Sequence, residues 1–404
     1  MSVPSIEIFS SIAQAVINDP FTLDSADFGV LDTDVLQGRF EDVLLDVPIR
    51  SMSVSRGKSR QLDRFRAGTA SVSFNNFDRR LDPLNQASEF YGDIVPRQRI
   101  KIFANGISIF KGVITDWDIN YDQLNWDTAS ASAVDQFTVL ANYVFDTAVT
   151  PSVESPAERL DFVLNQFNYD GETDFLGGST SLGAYQIEAG VQALDYLFRV
   201  ADSDRAQLFI DASGVLRLTG IFDKLPTSSV FFSDDGSGLP YQSLSNEYGD
   251  DLLYNRVIAS SPAGSVVVEN ASSIVDFDVS ALSLDNLLNA STLTLTTVAG
   301  QIVSLYGVPA VRFTGLSVDL AGLSAADCEV LLRVDLTDQV TVRKTFAVGS
   351  PLVVDQDLMV TGIRHTIRAD SHVLEFSFEP SPYRLGFRLD DIVEGVLDGV
   401  YALG

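Results

Sequence analysis

The chain has 404 residues with 55 acidic and 27 basic side chains, a formal charge of −28, so its surface repels nucleic acid unless cations are locally gathered. Hydrophobic residues at 46% and charged residues at 20% exclude a disordered or collagen-like chain, and the length allows about two to four domains with ample core. The single cysteine, Cys328, excludes an intramolecular disulfide and a cysteine-rich zinc site, no basic region precedes the apolar residues of 1–20 as in a signal peptide, and no run of 18 apolar residues offers a transmembrane helix.

Residues 1–50 are expected to form an arm or docking segment. From Ser51 to about Leu140 short β-branched and aromatic runs alternate with Gly, Asn and Asp clusters, which predicts strands. The firmest element is a hairpin in which Lys101 to Ala104 and Ile107 to Phe110 flank Asn105-Gly106, a pair that accepts the two positive φ values of a type I′ turn. Further strands follow over 112–121 and 126–140, and residues 51–148 are expected to form a small β-barrel or sandwich.

The period changes near Thr150. Ser155-Pro156-Ala157-Glu158 is a capping box with proline at the first helical position, followed by Leu160, Val163, Leu164 and Phe167 at helical spacing. A second helix is predicted over 188–202, and Asp211-Ala212-Ser213-Gly214 closes a second hairpin. Residues 149–245 thus read as an α+β domain. Beyond them, strands are predicted over 255–260, 265–269, 311–320, 329–336, 340–343, 359–368 and 373–379, with one helix over 293–305. Residues 246–385 read as a second β domain and 386–404 as a C-terminal tail.

The two ends carry a repeat. Phe21-Thr22-Leu23-Asp24 followed by Gly29-Val30-Leu31-Asp32 returns as Phe387-Arg388-Leu389-Asp390 followed by Gly395-Val396-Leu397-Asp398. Coincidence between two Asp- and Gly-containing turns is one reading. The sharper one makes each copy a docking segment, with Phe21, Leu23, Leu31, Phe387, Leu389 and Leu397 placed on a neighbour. Asp24, Asp32, Asp390 and Asp398, with Gly29 and Gly395, then form the turns.

Catalytic signals are thin. His365 and His372 are the only histidines, both within a predicted hairpin, where sheet packing or surface exposure is the plain reading. No zincin motif, nucleophile elbow or phosphate loop occurs. The pairs Asp234-Asp235, Asp250-Asp251 and Asp390-Asp391 are expected to be solvated turns. Neither Asp24, Asp27, Asp32 and Asp34 nor Asp234 and Asp235 has the EF-hand spacing. No metal, cofactor or catalytic residue is expected.

Eleven of the 27 basic residues lie between Arg50 and Lys101. They lack the interleaved aromatics of an RNA-recognition surface. Intrachain ion pairing is the plain alternative. The preferred expectation is that Arg56, Lys58, Arg60, Arg64, Arg66, Arg79 and Arg80 meet carboxylates of a second copy, because the arginine fork suits bidentate pairing across interfaces.

The run Ser55-Arg56-Gly57-Lys58-Ser59-Arg60-Gln61-Leu62-Asp63-Arg64-Phe65-Arg66-Ala67-Gly68-Thr69-Ala70, then Asn75, Asn76 and Asp78-Arg79-Arg80-Leu81-Asp82-Pro83-Leu84-Asn85, resembles the signature of minor tail proteins of long-tailed siphophages. The likeness continues through Tyr91-Gly92, Pro96-Arg97, Trp117, Asp211-Ala212-Ser213-Gly214, Asn255-Arg256-Val257, Arg312-Phe313, Asp335 to Val340 and Gly362-Ile363-Arg364-His365. It implies a fold like the baseplate hub of contractile-tailed phages, mainly β, with two related β-barrel domains flanking an α+β domain. It further implies a structural, non-enzymatic virion protein assembled in the host cytoplasm. Three copies then form a pseudo-sixfold ring joining the tail tube and distal tail protein to spike or fibre proteins. The tape measure protein is a further implied partner, and DNA is expected to pass through without sequence-specific binding. Cell-wall digestion falls to partner proteins. The alternative is a tail component that binds or cleaves host-surface carbohydrate, with residues 151–245 as the contacting part.

Overall fold

The computed structural model describes residues 3–13, 40–122, 127–176, 178, 180–220 and 230–381. Its first block is built from β1 (Ile6–Ala13), β2 (Phe40–Leu44), β3 (Ile49–Gly57), β4 (Arg66–Asn75), β5 (Arg99–Ala104), β6 (Ile107–Asn120) and β7 (Thr128–Val134). They hydrogen-bond in the order β3-β4-β7-β6-β5-β1-β2, each pair antiparallel. Asn105 and Gly106 have φ of 49° and 73°, as the hairpin turn requires. Strand alternation buries Val72 and Phe74 of β4 with Ala129, Ala131 and Ala133 of β7, so one face meets the core. The segment expected as an arm, 1–50, supplies β1 and β2 to this sheet.

The middle of the chain contains α1 (Phe137–Ala141), α2 (Pro156–Gln166), β8 (Thr173–Leu176), α3 (Ala193–Asp204), β9 (Gln207–Ile210) and β10 (Leu216–Thr219). The capping box forms: Glu158 N donates to Ser155 Oγ at 3.4 Å and Ser155 N donates to Glu158 Oε2 at 2.9 Å. Helices α2 and α3 pack together, with Leu160, Val163, Leu197 and Val200 buried in the main core, beside the small sheet β8-β10-β9.

The last block begins with β11 (Val230–Ser233) and β12 (Ser243–Glu247). There follow β13 (Arg256–Ser261), β14 (Gly264–Glu269), α4 (Ala271–Phe277), β15 (Ala281–Leu284) and α5 (Thr292–Tyr306). Strands β14-β13-β15 form a separate sheet covered by α5, with its own core of Val257, Ala259, Leu295, Ala299, Ile302 and Tyr306. The chain then completes β16 (Arg312–Asp319), α6 (Ala325–Leu332), β17 (Gln339–Thr345), β18 (Val353–Arg368) and β19 (Ser371–Pro380).

Two expectations change here. Residues 329–336, expected as a strand, lie partly in α6. Its N-cap Ser324 accepts from Asp327 N at 3.2 Å, and Cys328, Leu331 and Leu332 are buried at helical spacing. The apolar run Val330-Leu331-Leu332 imitates a strand when its cap is overlooked. The two β blocks are also one sheet rather than separate barrels. Thirteen strands run β12-β16-β19-β18-β3-β4-β7-β6-β5-β1-β2, with β17 on β18 and β11 on β17. The joint is β3 on β18, in register from Gly57 opposite Gly362 to Ser51 opposite Arg368. Among the described residues this path does not close on itself. Alternation marks a strand's buried face but not its neighbour, so the fusion was invisible before folding.

Candidate functional site

The residues that carry the tail-protein resemblance converge where the three parts of the chain meet. Strand β3 ends at Gly57, whose φ is +95°. A Cβ at Gly57 would sit 2.2 Å from Thr361 O and 2.8 Å from Gly362 Cα, and one at Gly362 would sit 2.5 Å from Lys58 O. These backbones touch because β18 bulges between Val360 and Gly362, letting Thr361 O accept from Lys58 N at 2.8 Å. Glycine is required at Gly57 both for its φ and for the approach.

One residue before, Arg56 donates from Nη1 to Asp335 Oδ1 at 2.7 Å. Asp335 Oδ1 also accepts from Leu336 N at 2.7 Å and Oδ2 from Ala212 N at 3.0 Å. Ala212 O accepts in turn from Ser108 Oγ at 2.6 Å. The tip of the β9–β10 turn is thus clamped between the first β block and the last. Within that turn Asp211 accepts from Ser213 Oγ, Val215 N and Arg217 Nε at 2.7, 2.9 and 2.6 Å. Burial opposes its charge, but these donors outweigh burial and hold the carboxyl below the usual range. Asp135, behind Arg56, accepts from Gly68 N at 2.5 Å and Phe137 N at 3.0 Å. Burial nevertheless pushes its carboxyl up to about 7.

Beyond Gly57 the signature loop folds over a cavity of about 320 Å³. Lys58 Nζ lies 2.8 Å from Glu379 Oε1, which also accepts from Leu62 N at 2.8 Å, and Gln61 Nε2 donates to Phe378 O at 3.2 Å. Arg64 spans to Asp202 of α3 at 2.5 Å. The far wall is Leu284 of β15, Leu287 of the segment after it and Ile302 of α5. Arg205, the C-cap of α3 at φ 54°, lines the cavity. Its Nη1 is sealed from solvent and hydrogen-bonds to nothing, and burial pushes its guanidinium down.

The arginines expected at a subunit interface separate into groups. Arg56 and Lys58 are each 5% exposed and bonded within the chain, so they cannot reach a second copy. This corrects the expectation for both, since the end of β3 and the residue after it are covered by the last block, where Asp335 and Glu379 meet them. Arg64 pairs with Asp202, Arg79 with Asp82 at 2.6 Å, and Arg80 with Glu89. Asp82, fully buried as a side chain, also accepts from Leu84 N at 2.9 Å and Tyr121 Oη at 3.0 Å, so the loop after β4 is rigidly braced. Arg60 is exposed with no ion-pair partner among the described residues, and Arg66 is exposed with only a long pair to Asp63 at 3.9 Å. The docking segments at Phe21, Leu23, Asp24, Gly29, Leu31 and Asp32, and at Phe387, Leu389, Asp390, Gly395, Leu397 and Asp398, lie outside the described residues.

Two buried polar groups lie apart from the signature loop. Arg159, fully buried on α2, donates to Tyr196 Oη at 2.6 Å, Ser152 O at 2.8 Å and Gly183 O at 2.9 Å, and pairs with Glu154. It stands next to Leu160 of the apolar stripe, and nothing in its own spacing marks it as buried. His365 Nδ1 and His372 Nε2 lie 3.0 Å apart, packed between β18 and β19 rather than on the surface. Burial pushes His372 down to about 4 and His365 down as well. Among the described residues no three His, Cys, Asp or Glu side chains gather as a metal site.

No family model matches the chain, and no curated protein matches it in sequence. Solved structures do match. A tail protein from Neisseria meningitidis MC58 superimposes with a TM-score of 0.58 at 12% identity, covering 85% of this chain and 94% of its own. The 43 kDa tail protein of prophage MuSo2 from Shewanella oneidensis gives 0.57 at 13% identity over 94% and 98%. The fold is that of phage tail proteins. Prophage tail protein gp18 from Listeria monocytogenes EGD-e shares it, with 0.51 at 12% identity over 83% and 91%. At these identities the likeness rests on strand order and packing, not on shared side chains.

Proposed function

We propose that the chain is a structural component of a phage tail and forms the tail-tip or baseplate hub. Three copies make a pseudo-sixfold ring that joins the tail tube and distal tail protein to spike or fibre proteins. The ring surrounds the tape measure protein and the DNA exit path. The observation that carries this reading is the match over nearly the full length of three tail proteins. The fusion of two β blocks into one sheet through β3 and β18 supports it, because each copy then offers two sheet halves to a ring.

Charge supports the same reading. Residues 50–101 hold eleven basic and five acidic side chains, a net of +6, which leaves −34 on the other residues. Exposed Arg60 and Arg66 supply contacts between copies, and the acidic remainder repels the phosphate backbone so that DNA slides without sticking. Mass photometry of the purified chain tests the assembly: a species of three times 43.9 kDa is expected, and a stable monomer at micromolar concentration overturns it. Arg60→Glu with Arg66→Glu should shift that species toward monomer.

A further inference from the structure

The cavity beneath the signature loop holds an unsatisfied charge. Among the described residues the Arg205 side chain has no hydrogen-bond or ion-pair partner, its Nη1 is sealed from solvent, and Glu379, which also lines the cavity, is already engaged by Lys58 and Leu62 N. An unpaired guanidinium in such a place is costly unless an anion sits against it. The wall opposite is apolar, formed by Leu284, Leu287 and Ile302. The site therefore fits a carboxylate carried beside bulky apolar side chains.

We infer that this cavity is the docking site of the chain's own residues 387–390, with the Asp390 carboxylate on Arg205 and the Phe387 and Leu389 side chains on the apolar wall. The reach is right. Glu379 lines the cavity, β19 ends at Pro380, and Phe387 follows Glu379 by only eight residues, up to about 28 Å of extended chain. Charge selects between the two ends. The C-terminal copy of the repeat has Arg388 where the N-terminal copy has Thr22, and the cavity also presents Asp63 and Asp285, which suit that cation. The docking concerns a single chain and does not depend on a role in a phage tail.

Full-length chain carrying Ser283→Cys and Asp391→Cys tests this, because Ser283 lines the cavity and is exposed, while the native Cys328 is buried. Mild oxidation, followed by non-reducing electrophoresis and peptide mass mapping, should give a bond between the two introduced cysteines that runs as monomer. A Ser265→Cys partner on β14 serves as the background. Adding Asp390→Asn should slow the bond about tenfold, the size of one charge-assisted hydrogen bond, and Arg205→Gln should do the same. Asp390→Asn changes no residue of the described sheets, so it keeps the test decisive if Arg205→Gln fails to fold. Three outcomes overturn the inference: no bond above the background pair, a bond formed only between chains, or preferential capture of a cysteine at Asp27 beside the N-terminal repeat.

Discussion

Removing Asp335 or Arg56 should expose how much of the fold hangs on one ion pair. The two residues are 279 positions apart, and their side chains are 4% exposed for Arg56 and 24% for Asp335. The deletions are not equivalent. Arg56→Ala leaves Asp335 with two backbone donors and some solvent, so a loss of about 2–3 kcal/mol is expected. Asp335→Ala strands a buried guanidinium whose Nε already lacks a partner and also unhooks Ala212 N, so about 3–5 kcal/mol should be lost. At about 2.1 cal/mol/K per residue, 404 residues convert 4 kcal/mol into a Tm drop of about 5 °C. Urea unfolding followed by tryptophan fluorescence gives the two losses, and the double variant gives a coupling of about 1–3 kcal/mol. Hydrogen exchange should speed up across β9 and β10 in Asp335→Ala but much less in Arg56→Ala. The reasoning fails if Arg56→Ala is the more damaging change, or if the coupling is below about 0.5 kcal/mol.

Gly57→Ala and Gly106→Ala share a positive φ and should differ sharply. Gly106 has nothing within 4 Å of its would-be Cβ, so only backbone strain of about 1–2 kcal/mol is expected, while Gly57→Ala, facing Thr361 O at 2.2 Å, should abolish recovery of folded chain. Equal midpoints in urea would refute the close-approach argument. The His365–His372 pair should make stability fall in acid. Its folded-state values lie below the ordinary 6.5, so the contribution is present above pH 6.5 and is lost as pH falls toward about 4; for His372 alone this is roughly 3 kcal/mol. His372→Gln should flatten the stability profile between pH 6.5 and 4, and an unchanged slope counts against burial as the cause. Ser155→Ala should cost about 1 kcal/mol through loss of the α2 cap, read as a shift in urea midpoint.

Local signals in the sequence determined those elements whose cause is local. The Asn105-Gly106 turn, the Ser155–Glu158 capping box, the Asp211–Gly214 turn and the helix over 292–306 follow from φ preference, side-chain-to-backbone bonding and apolar period, all of which act within a few residues. The resemblance carried by residues 55–85 pointed to the tail-protein fold, while the suitability of the arginine fork for interfaces assigned the arginines there to a neighbouring copy. Only the tertiary structure placed Arg56 and Lys58 inside, because Asp335 and Glu379 reach them across hundreds of residues and no spacing rule links such pairs. The same holds for β3 on β18. Each strand's alternation announces a buried face, yet hydrogen-bonding edges are identical for every strand, so which two meet is decided by the packing of the whole chain. The α6 segment shows the converse: a short apolar run fits either period, and the Ser324 cap with the burial of Cys328 and Leu331 decides it. The unsatisfied Arg205 likewise exists only in three dimensions, since one arginine after a helix has no signature until its surroundings close around it.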